Sequence, residues 1–222
     1  MADPDPTPPA RGAGGLSPLA RSPLPTVAPT VVVNGWEVTE RTSDAALRLA
    51  DLSPLAKVHV RAREDGPFAG AIGVRFLHAA RDENDVLVTG SGPGEWTLFG
   101  SIGAATDIMT RIADVHVDER VTIVDITHGR ALVRLTGHTS GELLAQLCAI
   151  DLDDRVTPNG SCLRSSVARV VTDIVRDDRG GEPSFLLHCE RSSGAYLAAR
   201  LTEVGDLHDL DIEGFTAATA TR

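Results

Sequence analysis

The chain has 222 residues, a formal net charge of −10 and 42% hydrophobic residues, enough for one compact domain or two small halves sharing a core. The acidic balance and the lack of any basic run argue against nucleic-acid binding, which needs a concentrated positive face. No apolar run nears the ~20 residues of a membrane span and no basic-then-apolar signal opens the chain, so a cytoplasmic location with no membrane contact is expected.

Residues 1–30 hold most of the prolines and few bulky side chains. Such a segment offsets little of its ordering entropy by burial, and it reads as a disordered leader. Leu16-Ser17-Pro18-Leu19 and Ser22-Pro23-Leu24 within it read either as solvated tail or as short docking elements. Order is expected from Val31-Val32-Val33. Residues 44–52 have helical spacing, with Ala45, Leu49 and Leu52 on one side. Residues 55–63 alternate, with Leu55, Lys57, His59, Arg61 and Arg63 opposite Ala56, Val58 and Val60, as in a half-buried strand. Residues 74–77 and 85–89 read as further strands. The run Thr89 to Gly94 is a turn, with a returning strand over 95–99. Residues 104–113 form a helix with Ile108, Met109 and Ile112 on its apolar side.

The stretch 121–152 is the most informative. Two alternating apolar runs meet at His128-Gly129, as in a hairpin, and the second stops at Gly137. Thr139 and Glu142 then stand at capping-box spacing before Leu143, Leu144 and Leu147. After a loop over 153–160, residues 165–176 are rich in β-branched side chains and read as one long strand. Residues 177–181 supply a hairpin turn, and 184–189 return. Ser192 or Ser193 caps a last helix over 194–202 carrying Leu197 and Leu201. Residues 211–222 read as a loose tail. The expected fold is α+β, antiparallel sheets with interspersed helices. The domain spans 31–210, in halves of roughly 31–118 and 119–210.

Few motifs carry chemistry. Gly90-x-Gly92-x-Gly94 leads into Trp96 and a strand, whereas a phosphate loop opens a helix, so it reads as a turn. The seven histidines are scattered, His116 among them, and none stands at metal-ligand spacing. Cys148, Cys162 and Cys189 sit among apolar or small residues and read as packed thiols. Lys57 is the only lysine. Asp85 opens a strand after Asn84. From the residues alone it is a turn acid, and the alternative is a carboxylate orienting an ammonium-like centre. Arg191 stands as an ion-pair partner or a carboxylate clamp. Trp96 and Trp36 read as core or interface anchors.

Four ordered blocks resemble the gamma subunit of heterotetrameric sarcosine oxidase. They are Ser91-Gly92-Pro93-Gly94-Glu95-Trp96-Thr97-Leu98, Val124-Asp125-Ile126-Thr127 with the return from Arg130 to Gly137, the run from Leu143 to Leu152, and Gly160 to Ala168 with Glu190-Arg191-Ser192. Asp51-Leu52-Ser53 and Asn84-Asp85-Val86-Leu87-Val88-Thr89 are similar to blocks of the wider aminomethyltransferase superfamily, the glycine cleavage T-proteins. The second of these is where the T-protein keeps its catalytic aspartate.

The resemblance implies the fold of the T-protein's folate-binding domains. It also implies an accessory subunit of an oxidoreductase, without catalysis of its own. Its partners would be larger subunits that carry FAD, FMN and NAD and oxidise an N-methyl amine, with transfer of the one-carbon unit to tetrahydrofolate. No cofactor is expected on this chain alone. The alternatives are a folate-dependent aminomethyltransferase or methyltransferase using Asp85, and a free-standing folate-binding scaffold. Asp85, Glu182, Trp96 and Arg191 are the folate candidates. The chain departs from the superfamily at Asn84, where an aspartate is usual, and at Arg179-Gly180-Gly181-Glu182, where a tyrosine is missing.

Overall fold

A computed structural model of the protein describes residues 18–115 and 117–215. In chain order, Ala20–Arg21 (β1), Thr30–Val33 (β2), Trp36–Thr39 (β3), Leu47–Asp51 (β4) and Leu55–Arg61 (β5) precede a short helix, Pro67–Ile72 (α1). Ala79–Arg81 (β6), Leu87–Gly92 (β7) and Glu95–Ile102 (β8) lead to Ala105–Ala113 (α2). Thr122–Asp125 (β9), Arg130–Thr136 (β10), Ser140–Ala145 (α3), Cys162–Val167 (β11), Val170–Arg176 (β12) and Ser184–Glu190 (β13) follow. Gly194–Gly205 (α4) and Leu210–Glu213 (β14) complete the described chain.

The strands form a small sheet in the order β1-β3-β2, a six-stranded sheet β11-β12-β13-β10-β4-β14 and a five-stranded sheet β6-β7-β8-β5-β9. Pairing is antiparallel except for β1 with β3 and β14 with β4. Strand alternation assigns each face. Leu49, Val133, Leu135 and Leu187 of the six-stranded sheet pack on Leu143 and Leu144 of α3 and Leu197 and Leu201 of α4. Its other face, with Ala50, Leu132, Val175 and Leu186, meets Leu55, Leu87 and Phe99 of the five-stranded sheet. The far face of that sheet, with Val58, Val60, Val88 and Leu98, packs on Phe68 of α1 and on Ile108 and Ile112 of α2. The order is helices, sheet, sheet, helices, with an inter-sheet layer at the centre. This is the expected α+β class.

Several local expectations give way. The 121–152 stretch is no hairpin: β9 pairs with β5 at the edge of one sheet, and β10 lies between β13 and β4 in the other. A short 3-10 turn, Thr127–Gly129, carries the chain across. The division near residue 118 does not follow the sheets either, since β4 joins the later strands and β9 the earlier ones. Residues 47–51 are a strand, not a helix: β10 and β14 pair along its two edges, while Leu47 and Leu49 pack on one face and Ala50 on the other, which blurs the alternation expected of a half-buried strand. The strand expected over 165–176 is a β11–β12 hairpin turning at Ala168 and Arg169, both at positive φ (48° and 69°). That turn normally advertises itself with Asn or Gly, and here does not.

Residues 74–77 are not a strand. Leu77 has φ 67° and only an isolated bridge, Phe76 to Gly90, forms there. The helix α1, begun by Pro67 and ended by Gly73 at φ 70°, is unforeseen, although both punctuation marks are in the sequence. Thr139 and Ser193 occupy the expected N-cap positions, but neither side chain caps. Their backbones are already turned (ψ 5° and −7°) instead of extended, which points the oxygens away from the first amides.

Both ends are more ordered than expected where they are described. Leu24 is buried in the core beneath α4, and β1 pairs with β3, so the segment borrows apolar surface it does not carry itself. Likewise β14, within the expected loose tail, adds a parallel edge strand to β4. Residues 1–17 and 216–222, including Leu16 and Ser17, lie outside the described residues, as does His116.

Candidate functional site

The glycine run is structural. Gly92 pairs with Glu95 across a Pro93-Gly94 turn, with Gly94 at φ 66°, and β7 continues directly into β8. The chain crosses Gly90 so closely that a Cβ there would overlap the Arg75 carbonyl.

Asp85 sits on the loop between β6 and β7. Asp82 organises that loop: its Oδ1 accepts from the N–H groups of Asn84 (2.9 Å) and Val86 (3.0 Å), and its Oδ2 from Arg111 Nη2 (2.6 Å). Asp85 takes the left-handed conformation, φ 60°. Arg81 Nη1 donates both to its carbonyl (2.8 Å) and to its Oδ1 (3.1 Å). The Asp85 carboxylate stands at the rim of a cavity of about 500 Å³ that opens between the two large sheets. Leu55, Leu87, Phe99, Leu186 and Ile108 form its apolar wall, and Arg81, Arg111 and Arg134 line it with positive charge.

Arg134 went unnoticed in the sequence. It stands on β10 opposite Ala50 and Leu186, facing the other sheet, and is only 5% exposed. Its Nη1 donates to Ser184 Oγ (2.9 Å) and to the Asp177 carbonyl (3.1 Å), and its Nη2 to Asp177 Oδ2 (2.8 Å). Arg81 Nη2 (3.1 Å) and Arg179 Nη2 (2.7 Å) reach the same Asp177 oxygen. Burial lowers the Arg134 pKa from its ordinary value, against the pull of Asp177. The signal was present, since an arginine within Ala131-Leu132-Val133-Arg134-Leu135 interrupts an otherwise apolar run.

Two further polar groups lie in the inter-sheet layer. Lys57, expected on a half-exposed face, is fully buried because the six-stranded sheet covers that side of β5. Its Nζ donates to the carbonyls of Ser53 (2.6 Å) and Leu55 (2.8 Å). Burial pushes its pKa down to about 7, opposed by the charges of Asp51 and Asp125. His188 is also buried, with its Nδ1 3.2 Å from Asp173 Oδ2 and its ring edge-on to Phe99. Burial lowers its pKa, opposed by the hydrogen bond and charge of Asp173. Burial works to raise the Asp173 pKa, but contacts from His188 and from Arg164 Nε (2.6 Å) hold it below the usual carboxylate range.

The remaining folate candidates do not gather around Asp85. Trp96 is sealed on the opposite face of its sheet, its Nε1 donating to the Val74 carbonyl (2.7 Å) and its ring edge-on to Phe68. Glu182 lies beyond the β12–β13 turn, paired with Arg48 (2.6 Å). Arg191 holds the N-terminal segment, donating from Nη2 to the Arg21 carbonyl (2.7 Å). Asp125 and Asp151 shape turns, accepting from the N–H groups of Thr127 (2.8 Å) and Asp153 (3.0 Å). All three cysteines are free thiols, with Cys162 and Cys189 buried. Among the described residues no helix is long and apolar enough to cross a membrane, and no cluster of three or more metal-ligating side chains occurs.

Comparison with solved structures finds the same fold in two settings. Heterotetrameric sarcosine oxidase from Corynebacterium sp. U-96, in complex with pyrrole 2-carboxylate, is 19% identical over 75% of this chain and 88% of that chain, with a TM-score of 0.62. The glycine cleavage system aminomethyltransferase T from Bartonella henselae is 16% identical over 83% of this chain, with a TM-score of 0.61. This chain spans 55% of that protein. No curated protein matches the sequence. The model of the GCVT N-terminal domain family matches residues 77–222, more than half of the chain and inclusive of the Asp85 loop. The protein therefore belongs to the GCVT N-terminal domain family, with an aminomethyltransferase-like fold.

Proposed function

We propose that this chain is a non-catalytic, gamma-type subunit of a sarcosine oxidase-like flavoprotein complex. The complex would oxidise an N-methyl amine and pass the one-carbon unit to tetrahydrofolate, with FAD, FMN and NAD on the larger subunits. The observation that carries this reading is the extent of the fold match. It takes in 88% of a chain of a heterotetrameric sarcosine oxidase but 55% of a glycine cleavage aminomethyltransferase T. Exposed apolar side chains on the sheets, Val124 on the edge strand β9 and Val171 on β12, supply faces for a larger partner. The dispersal of Asp85, Glu182, Trp96 and Arg191 also favours a subunit without chemistry of its own. Purification from the native host is expected to bring a flavin-containing protein with this chain. A stable monomer that never co-purifies with a flavoprotein would overturn the assignment.

One observation favours a second reading, a folate-dependent aminomethyltransferase: Asp85 lines the cavity of about 500 Å³ between the two large sheets. The two readings separate at Asp85→Asn. As an accessory subunit, the chain tolerates the change without loss of activity in the complex. As the enzyme, it loses about 100-fold or more, the usual scale for removing a positioned acid or base. A free-standing folate scaffold would bind a reduced folate in isolation and show no turnover, which calorimetric titration of the purified chain detects.

A further inference from the structure

We propose that the apolar cleft beside α4 is a binding site for a small organic cation, an ammonium group on a hydrocarbon or aryl body, with Asp51 as its counter-ion. The cleft has a volume of about 450 Å³, within the range of small-molecule sites. Leu24, Val38, Leu49, Ala198, Ile212 and Phe215 give it apolar walls. Ala195 and Ala199 of α4 line it and are exposed, so a ligand enters from solvent past two small side chains.

Charge selects the class of ligand. The charged side chains lining the cleft are Asp51, Glu203, Asp206 and Glu213, and among the described residues no arginine, lysine or histidine lines it. Glu203 is paired with Arg200, and Glu213 with Arg48, which also serves Glu182. That leaves Asp51 and Asp206 without an ion pair among the described residues. Lys57 acts on Asp51 from the inter-sheet layer, and with this lysine counted as fully charged one negative charge is still over. The helix adds to the imbalance. The last turn of α4 borders the cleft at Thr202 and Glu203, with Asp206 next in the chain, and holds no basic residue. A helix C-terminus carries negative partial charge and favours cations.

Asp51 supplies the directional contact. It lies on the same face of β4 as Leu47 and Leu49, beneath α4. Its Oδ1 accepts from the Ser53 N–H (2.9 Å), and the Ser22 side chain donates to it as well. A carboxylate has about four acceptor directions, so about two remain for an ammonium group. Burial raises the Asp51 pKa, against those hydrogen bonds and the charge of Lys57, and a bound cation relieves that cost. The apolar walls then cover the body of the ligand.

This inference does not depend on the chain's place in a flavoprotein complex, and its test uses the full-length chain alone. Benzylammonium chloride is titrated by calorimetry, beside benzyl alcohol and sodium benzoate at matched ionic strength. Saturable benzylammonium binding is expected, with the neutral and anionic analogues at least about 10-fold weaker. Asp51→Asn keeps an oxygen for the Ser53 amide and should weaken benzylammonium by about 10- to 100-fold, the usual scale for a hydrogen bond to a charged group. Ala199→Leu fills the cleft from an exposed helix position where leucine is well tolerated, so it reports even where Asp51→Asn fails to fold. Ala199→Leu should melt with the native protein and lose saturable binding. Benzylammonium should also raise the melting temperature of the unsubstituted chain and not that of Ala199→Leu. The proposal is overturned by an absence of saturable benzylammonium binding, by benzyl alcohol or benzoate binding as well as benzylammonium, or by unchanged affinity in either variant.

Discussion

Lys57→Met is expected to remove a rise in stability that the native protein shows as the pH is raised from about 7 to 9. Lys57 is fully buried, and its folded pKa is pushed down to about 7 from an ordinary 10.5. Between those values the unfolded chain carries a proton on this amine that the folded chain does not hold. Where the unfolded state binds more protons, stability rises with pH. The slope is roughly 1.4 kcal/mol per pH unit, so the window from 7 to 9 is worth about 2–3 kcal/mol. Below pH 7 both states are protonated and the lysine's contribution stops changing.

Other groups act outside this window or cancel. Burial lowers the pKa of His188 and of His59, so their effects fall below the ordinary histidine pKa. Cys162 and Cys189 are pushed up to about 12 and about 11, so above pH 9 the unfolded thiols ionise first and stability declines. Both variants share that decline, and the difference between them isolates the lysine. At pH 7 the ammonium costs roughly 5 kcal/mol to bury, while its hydrogen bonds to Ser53 and Leu55 return about 1 kcal/mol each. Lys57→Met should therefore stabilise the protein near neutrality by about 2–3 kcal/mol. Chemical denaturation of both proteins across pH 6 to 9 checks this, and equal slopes would refute it.

The other large effect is expected at Gly137, where β10 ends and the chain turns into α3. Its φ is 139°, which side-chain-bearing residues rarely adopt. A Cβ there would overlap the Ala46 carbonyl oxygen and lie 3.0 Å from Leu47 Cα, backbone at the start of the neighbouring strand β4. The glycine cannot shift freely, because its N–H donates to the Pro183 carbonyl (3.0 Å) and its carbonyl accepts from the Ser140 N–H (3.0 Å). Strained backbone and forced overpacking together cost about 3–5 kcal/mol, a large share of a typical domain's 5–15 kcal/mol. Gly137→Ala should melt far below the native protein or fail to accumulate folded. Gly141 is the control: it lies in α3 with open space around its Cβ position, and Gly141→Ala should stabilise by up to about 1 kcal/mol. Equal melting temperatures for the two variants would discredit the close-approach argument.

Much of the fold was legible wherever one pattern had one cause. The alternation in β5 and β13, the return of β8 after its turn, the helix α2 with Ile108 and Ile112 inward, and the turn over 177–181 are local features. Ordered blocks from Ser91 to Ser192 carried the family resemblance, and the family match covers the same stretch. The Asp85 loop was legible as a turn acid beside a strand, and it is one. Its place at the rim of a cavity was not legible, because the cavity's other walls come from β10 and β13, far along the chain.

The sequence by itself determined the α+β class, most strand and helix positions, and the structural reading of the glycine run, although the strand β7 extends to Gly92 and only Pro93-Gly94 turns, because backbone preference and side-chain period act over a few residues. Only the tertiary structure decided which sheet each strand joins. His128-Gly129 has the chemistry of a turn, but a turn does not specify whether its two strands pair with each other, and β9 and β10 part to different sheets. Packing likewise decided the fate of polar residues on apolar strands. Alternation places Lys57 and Arg134 on one face, yet what covers that face is another sheet formed by distant residues. That burial pushes the Lys57 ammonium toward neutrality and crowds three arginines onto Asp177.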